Sequence, residues 1–220
     1  MKATLISCCC LLLFSCRETN VPAEAVAFYF EAPQPINDSQ LQHIPSKFVG
    51  TYRDKDSVLL QVEKKLIYSE SFFSTAVHQS ELDSVMVFFK NTDGKLVEKE
   101  TGAVWESFTK GDSVTFRSKW RDTLFEFSTQ QQAKRTHGKL VLNFKKDTLW
   151  KVKVLTLEDD ILTIRSFGLP ADRAKWDSVT RLPSRVIDSS EYVLQPSRKE
   201  FNTMLKIKVL GYDSRYKKVP

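Results

Sequence analysis

The three histidines are the side chains best suited to acid–base or metal chemistry near neutral pH, and they lie far apart in the chain. His43 comes just before Pro45, His78 sits in a polar stretch, and His137 precedes Gly138 at a turn signal. No two of them are spaced for a shared metal ion, and no His-Glu-x-x-His motif occurs. The sequence therefore predicts surface or turn histidines, and a histidine acting as ligand or base is the less favoured alternative.

The densest cluster of carboxylates is Glu158–Asp160, between Leu157 and Ile161. A calcium loop needs oxygen ligands at alternating positions and a glycine for its sharp turn, so a solvated hairpin turn explains this cluster better. The seven glycines are not clustered, so they form neither a phosphate-binding loop nor a Gly-x-Ser-x-Gly nucleophile elbow. The sequence predicts no metal site, no cofactor and no catalytic residue, although residue order alone leaves a Ser–His–Asp arrangement open.

Cysteine chemistry is confined to the first sixteen residues, where all four cysteines lie: Cys8, Cys9, Cys10 and Cys16. A chain with no later cysteine has no disulfide framework, no cysteine-ligated zinc and no cysteine nucleophile within its fold. Its stability must therefore come from the packed core.

The N-terminus has the pattern of an export signal. Lys2 supplies the positive charge, and Ala3 to Phe14 is a run of about a dozen mostly apolar residues. As a helix this run spans roughly 18 Å, which is short of the ~30 Å hydrocarbon core of a bilayer. We therefore predict a signal peptide over residues 1–15 and not a transmembrane anchor.

The tetrad Leu13–Cys16 ends this apolar run. It resembles the lipobox of bacterial lipoproteins, although Phe14 stands where a small or aliphatic residue is usual. The resemblance implies that Cys16 is acylated through its sulfur, as with palmitate, and becomes the first residue of a chain anchored in the lipid bilayer. Leu5–Cys8 matches the tetrad better, but only a few apolar residues precede it. The alternative is cleavage by an ordinary signal peptidase, which leaves Cys16 as a free thiol.

Composition excludes several classes of protein and of partner. Fifteen Gly and Pro residues among 220, with 11% aromatic residues, exclude collagen-like and disordered chains. The net charge of +6 invites a nucleic-acid interpretation, but basic residues such as Arg117 and Lys119 alternate with apolar ones, as on a solvated sheet face. We expect a monomer of the cell envelope, anchored in the outer membrane, with no nucleic-acid partner.

From Phe48 onward the periodicity is that of strands. In Asp112 to Trp120, the side chains of Val114, Phe116 and Ser118 alternate with polar ones, as in a half-buried antiparallel strand. Turn signals recur along the rest of the chain. We predict a mainly β fold, an antiparallel meander forming a barrel or sandwich, as one domain over 47–220 that follows a tether and entry segment over 16–46.

Three hairpins follow from the alternation. The predicted loops and pairs are Arg121–Asp122 with Phe116 facing Phe127, Lys146–Thr148 with Phe144 facing Trp150, and Thr92–Gly94 with Phe89 facing Val97. In the first hairpin, Phe116, Trp120 and Phe127 share the buried face. All three predictions assume that each hairpin has one apolar face and one solvated face.

Near the C-terminus the period becomes helical. Ser197 and Glu200 have the spacing of a capping box, and Phe201, Met204 and Leu205 continue on one helix face. We predict one short helix over 198–208.

Gly50–Thr51–Tyr52 opens the first long strand pattern. It resembles the Gly-x-aromatic start of lipocalin-type barrels, and the meander with a late helix has the same order of elements. The resemblance implies a barrel that carries an apolar small molecule. More broadly, the signal with its lipobox, the few glycines and the Asp-Ser/Thr turns look like small, functionally uncharacterised lipoproteins of Bacteroidota, which implies a location and no chemistry.

The aromatic load is heavy for one domain, with fifteen Phe and four Trp: Trp105, Trp120, Trp150 and Trp176. We expect most of these side chains in the core, with a ligand cavity or a sugar-stacking surface as the alternative. The function predicted first is a non-enzymatic binding or envelope-assembly role. The alternatives are a lipocalin-like carrier of an apolar small molecule and, third, a hydrolase acting on envelope polymers.

Overall fold

The computed structural model describes residues 26–93 and 95–220, and within them it contains fifteen strands and three short helices. The strands are β1 (Ala27–Phe30), β2 (Gly50–Arg53), β3 (Leu59–Val62), β4 (Leu66–His78), β5 (Phe89–Thr92), β6 (Lys95–Glu98), β7 (Val104–Lys110), β8 (Ser113–Glu126), β9 (Gln131–Thr136), β10 (Lys139–Lys146), β11 (Leu149–Glu158), β12 (Ile161–Ser166), β13 (Arg185–Asp188), β14 (Glu191–Leu194) and β15 (Tyr212–Lys218). The helices are α1 (Leu82–Met86), α2 (Asp172–Asp177) and α3 (Arg198–Met204), and single 3-10 turns lie at Ser46–Phe48 and Gln79–Glu81.

All these strands belong to one curved sheet. Its order is β13-β14-β1-β11-β12-β15-β2-β3-β4-β8-β7-β6-β5, and β10 and β9 extend from β11 on a separate branch. Neighbours are antiparallel except β1 and β14, which are parallel. The prediction of a mainly β fold, an antiparallel meander with a short C-terminal helix, is confirmed, and the sheet is an open barrel or sandwich because it does not close on itself.

The first of two cores, here called the barrel core, lies inside the curve of the central strands. Its fully buried side chains include Phe48, Tyr52, Ile67, Phe125 and Leu140. Burying such side chains stabilises a fold by roughly 1.5–3 kcal/mol each, so this core contributes strongly to stability. The Tyr52 hydroxyl donates a hydrogen bond to the Phe48 carbonyl at 2.9 Å, so its polar group is satisfied.

The second core lies on the outer side of β10 and β11. There Val141, Trp150 and Val152 pack against β1, β14, α2 and α3, with Trp176 at the centre. Consequently β10 and β11 are buried on both faces, one in each core. The polar Asn143 of β10 is also completely buried, a point that becomes important for the cleft described below.

Residues 71–120 form an insertion, here called the arm, in which β4-β8-β7-β6-β5 make a small sheet beyond the barrel. The arm has its own aromatic cluster. The rings of Phe89 and Phe116 stack with centroids 5.5 Å apart, and Trp105 contacts Phe73 and Phe89 edge-on. Because β5 and β8 are three strands apart in this sheet, the stacking shows that the arm coils tightly.

The predicted hairpin at Arg121–Asp122 is wrong. Strand β8 continues through both residues, because β4 pairs with it along its whole length, from Ser113 opposite His78 to Glu126 opposite Leu66. Neither residue has a positive φ. Phe116 is buried as expected, but Trp120 is 67% exposed.

The other two hairpins exist with different registers. The β10–β11 loop has two residues, so Lys145 and not Phe144 faces Trp150. The prediction assumed that apolar residues share one face, whereas here both faces are buried. In the β5–β6 hairpin Phe89 faces Glu98, because Asp93 takes the left-handed conformation of a two-residue turn. Gly94 lies outside the described residues.

The predicted C-terminal helix is confirmed, but it ends at Met204. Ser197 accepts a hydrogen bond from the Glu200 backbone, and the Glu200 carboxylate accepts one in return from the Ser197 backbone. The Ser197 hydroxyl also donates to this carboxylate, and together with the backbone N–H groups of Ser197 and Arg181 it lowers the pKa of Glu200. Phe201, Met204 and Leu205 pack into the second core, as the helical spacing predicted.

Candidate functional site

The three histidines lie on different elements and are all exposed. His78 contacts Ser80 and Asp112 at the end of β4, and His137 contacts Thr136 at the β9–β10 turn. In the described ranges, no group of three His, Cys, Asp or Glu side chains has the geometry for a metal ion.

The acidic cluster Glu158–Asp160 is the turn of the β11–β12 hairpin, as predicted. Asp159 and Asp160 both adopt positive φ, which Asp tolerates better than most residues. The Asp160 carbonyl accepts the Lys218 backbone N–H at 2.8 Å and so ties the end of β15 to this turn.

The predicted signal peptide over residues 1–15 and the predicted acylation site Cys16 both lie outside the described residues. Across the part of the chain that the structure describes, every helix is too short or too polar to cross a bilayer.

The exposed apolar side chains are concentrated on the arm. Those at least half exposed there are Phe72, Phe73, Val87, Phe88, Val104, Phe108 and Trp120. Elsewhere in the described chain the large exposed apolar residues are Leu182, Val186, Ile187 and Val209. Such a local concentration is unusual for a solvated surface and is typical of an interaction site.

Part of this set surrounds the point where the arm leaves the barrel. We call the following six residues the neck surface: Phe72, Phe73, Arg117, Lys119, Trp120 and Arg121. The register places Phe72 with the three basic residues on one face of the β4–β8 ribbon, and Phe73 with Trp120 on the other.

The basic side chains of the neck surface are held in place by diagonal contacts. The Arg117 guanidinium lies 3.6 Å from the Phe72 ring centre, and that of Arg121 lies 3.3 Å from the Tyr68 ring centre. Between them, the Lys119 ammonium is 2.7 Å from a Glu70 carboxylate oxygen. These contacts order three long cationic side chains before any partner arrives.

The neck also has a free backbone edge. Strand β7 pairs with β8 only from Ser113 to Ser118. Among the described residues, no strand pairs with that side of β8 beyond Ser118. An unpaired edge beside apolar and charged side chains is a place where an extended segment can add to a sheet.

A second feature is an open cleft of about 1130 Å³, which no residue of the neck surface lines. It lies between the segment 31–37, the loop 179–182 and the start of α3. Its apolar lining includes Ile36, Val179, Leu182 and Pro196, and its charged lining includes both carboxylates and cations.

Gln34 lines this cleft and is 1% exposed. Its backbone is fixed by the buried Asn143, whose Oδ1 accepts the Gln34 N–H at 2.6 Å and whose Nδ2 donates to the Gln34 carbonyl at 2.9 Å. The Gln34 Nε2 donates to the Ala32 carbonyl at 3.1 Å. The Gln34 Oε1 is buried and has no partner among the described residues.

Lys134 of β9 holds the same segment in place. Its buried ammonium donates to the carbonyls of Pro33 and Pro35 at 2.9 and 2.8 Å. Burial lowers the pKa of Lys134, and the nearby Asp38 opposes this shift only partly. The segment that carries Gln34 is therefore held rigidly by two buried polar side chains.

Neither the cleft nor the neck surface was predicted from the sequence. The signal for the cleft was Asn143, a lone polar residue within the apolar run Leu140–Phe144. The signal for the neck was the absence of Gly or Asn at Arg121–Asp122, which argued against a tight turn. Of the four tryptophans, Trp150 and Trp176 are buried and Trp105 is half-buried, as expected, but Trp120 is exposed.

Comparison of the chain with protein-family models, with curated proteins and with solved structures gives no match in any of the three.

Proposed function

We propose that the chain is a lipid-anchored protein of the cell envelope, held in the outer membrane by acylated Cys16. In this proposal the β domain is a binding module without enzymatic activity, and it docks an envelope protein through the neck surface. The observation that carries the docking proposal is the concentration of exposed aromatic side chains on both faces of the β4–β8 ribbon, with three ordered cations beside Phe72 on one face.

The anchoring part rests on the N-terminal sequence. The apolar run followed by the lipobox-like tetrad resembles a lipoprotein signal. Cys16 and Val26 are ten positions apart in the sequence. Fully extended, this stretch spans at most about 35 Å, so the tether would keep the domain close to the bilayer.

The docking part rests on the chemistry of the neck. Trp, Phe and Arg in a desolvated cluster are the side chains that contribute most to protein interfaces. Because Glu70 is engaged by Lys119, the exposed charge of the neck surface is positive. A partner segment with apolar and acidic side chains would complement it, and the free edge of β8 offers backbone hydrogen bonds to such a segment.

The lipocalin-like carrier is less well supported. The side chains that point inside the curved sheet, such as Phe48, Phe125 and Leu140, are completely buried against one another. The cleft beside Gln34 and a smaller one of about 230 Å³ that Val154, Arg165 and Asp213 line both open to solvent, and neither is lined by these barrel-core residues.

Anchoring is tested by metabolic labelling with radioactive palmitate. We expect the wild-type chain and the control Cys10→Ala to incorporate label and to fractionate with membranes. Cys16→Ala should remain an unlabelled precursor. Label retained in Cys16→Ala, or soluble unlabelled wild-type protein, would contradict the proposal.

Docking is tested by introducing a photo-crosslinking amino acid at Ser71, which faces Trp120 across the ribbon. We expect one discrete adduct in intact cells, and its loss when Trp120→Ser and Arg121→Gln are added. The control site is Ser189, an exposed position in the β13–β14 turn. An adduct that is equally strong from both sites, or unchanged by the two substitutions, would contradict a role for the neck surface.

A further inference from the structure

The open cleft beside Gln34 has a chemistry that the proposed docking role does not use. We propose that it binds a short peptide or N-acyl amino acid through a free carboxylate, an amide N–H and an apolar side chain. Each of these three groups matches a different part of the cleft.

The first match is an acceptor that lacks a donor. The Gln34 Oε1 is buried without a hydrogen-bond partner in the described chain, and an unpaired buried acceptor is unfavourable. The amide orientation is fixed, because the Nε2 already donates to the Ala32 carbonyl. A ligand N–H is therefore the group that satisfies this site.

The second match is positive charge that no hydrogen bond or ion pair holds in place. The side chains of Arg181 and Lys199 line the cleft and make no such bond within the described residues, and the only electrostatic effect on a lining carboxylate is that the Arg181 charge helps to lower the pKa of Glu200. The two lining carboxylates are already engaged. Glu31 contacts Gln195 and Arg185, and Glu200 is bound by the capping box and by the Arg181 backbone N–H.

Both carboxylates already accept hydrogen bonds or ion pairs, whereas the two cationic side chains donate none. A ligand carboxylate is therefore favoured over a ligand ammonium. Arginine binds a carboxylate with two parallel hydrogen bonds, which fixes the orientation of the ligand as well as its charge. The rim thus selects an anionic group.

The third match is an apolar wall. Ile36, Val179 and Leu182 line the cleft, and Leu182 is 51% exposed. Covering these side chains with an aliphatic ligand side chain would remove apolar surface from water. Aromatic residues do not line the cleft, so it offers no stacking platform for a sugar ring.

The cleft is also preorganised. Asn143 and Lys134 hold the Gln34 segment through four hydrogen bonds to its backbone and to that of the flanking prolines. A rigid site loses less conformational entropy on binding than a flexible one.

The test is calorimetric titration of the full chain, purified in detergent, with N-acetyl-alanyl-leucine. We expect saturable binding with a single site. The C-terminal amide of the same peptide should bind at least tenfold more weakly, because it lacks the carboxylate.

Three variants locate the site. Arg181→Gln changes an exposed side chain and should weaken binding at least fivefold, and Gln34→Met should weaken it about tenfold by removing the acceptor. Lys206→Gln is the control, since it removes the same charge from an exposed position outside the cleft lining. Circular dichroism checks that each variant is folded. If Gln34→Met does not fold, the result for Arg181→Gln decides the test.

Several results would overturn the proposal: no binding of the peptide, equal binding of the amide, or an equal loss in Lys206→Gln. Tighter binding of a glucuronate disaccharide, abolished by Arg181→Gln, would assign the cleft to an acidic glycan instead. None of these outcomes depends on acylation or on the neck surface.

Discussion

Phe116 and Trp120 lie four positions apart on β8, on the same face of the strand, and yet have opposite environments. Phe116 is completely buried and stacks on Phe89, whereas Trp120 is 67% exposed. We expect Phe116→Ala to lower the free energy of unfolding of the arm by about 3–5 kcal/mol, because it leaves a cavity in a small core. Trp120→Ala should change it by no more than about 0.5 kcal/mol.

Urea denaturation with hydrogen exchange of the β7 and β8 amides measures this pair of substitutions. Hydrogen exchange is needed because a small subdomain can open without global unfolding. Equal losses for Phe116→Ala and Trp120→Ala would place Trp120 in a core and remove it from the neck surface.

The contribution of the Asn143 side chain to stability can be measured with the variant Asn143→Asp, because Asp and Asn have the same shape. At low pH the new carboxyl group of Asn143→Asp is neutral, and it can both donate to the Gln34 carbonyl and accept from the Gln34 N–H. At neutral pH it must either carry a buried charge or take up a proton, since burial raises the pKa of a carboxyl group.

We therefore expect Asn143→Asp to be close to wild type below about pH 4 and to lose stability as the pH rises towards the raised pKa of the folded state. The loss near pH 7 should exceed about 3 kcal/mol. Thermal unfolding at several pH values checks this, with Asn91→Asp on the exposed β5 as control. A loss independent of pH would mean that this side chain is not enclosed.

At the scale of elements, the arm is separable from the barrel. The barrel core contains no residue from 71–120, and Glu70 pairs directly with Arg121 across the root of the arm. Joining these two residues through Asn-Gly would close β4 and β8 as an ordinary hairpin.

We expect this shortened chain to fold, with a β-type circular dichroism spectrum and one cooperative thermal transition, because it keeps every barrel-core side chain. It should also lose the crosslinked adduct of the neck. Phe125→Ala in the shortened chain is the matched control and should unfold it. A shortened chain that is unfolded at 25 °C would show that the arm stabilises the barrel.

Elements that were predicted correctly have a local physical cause. The capping box at Ser197 fixes the start of α3, and paired Asp residues fix the β11–β12 turn, so neighbouring residues suffice for both. The register of β10 and β11 depends on what lies across each face, and the alternation of one strand contains no such information.

The same lack of long-range information in the local pattern explains why neither site was predicted from the sequence. Gln34 and Asn143 are 109 positions apart and meet only because β10 is buried beneath the entry segment. The neck surface arises because β4 continues to pair with β8 beyond the barrel. The pattern of one strand contains no information on this long-range pairing, which runs straight through Arg121–Asp122.

At the scale of the whole molecule, the strand that follows the tether is part of the fold. Phe28 and Phe30 of β1 are buried, and their ring centroids lie 4.8 and 5.4 Å from that of Trp176. Strand β1 also pairs with β14 and touches β11, so it joins the second core to the barrel.

We therefore expect a chain that starts at Val26 to be soluble, monomeric and fully folded, whereas one that starts at Gln34 should be strongly destabilised. Losing two buried Phe side chains costs on the order of 3–5 kcal/mol each, which is comparable with the ~5–15 kcal/mol stability of a typical domain. Removing β1 should also expose Trp176, which is now 1% exposed. Tryptophan emission and size-exclusion chromatography measure both effects. Identical emission maxima and elution volumes for the two chains would mean that β1 is a dispensable extension of the tether, and that the second core is stable without it.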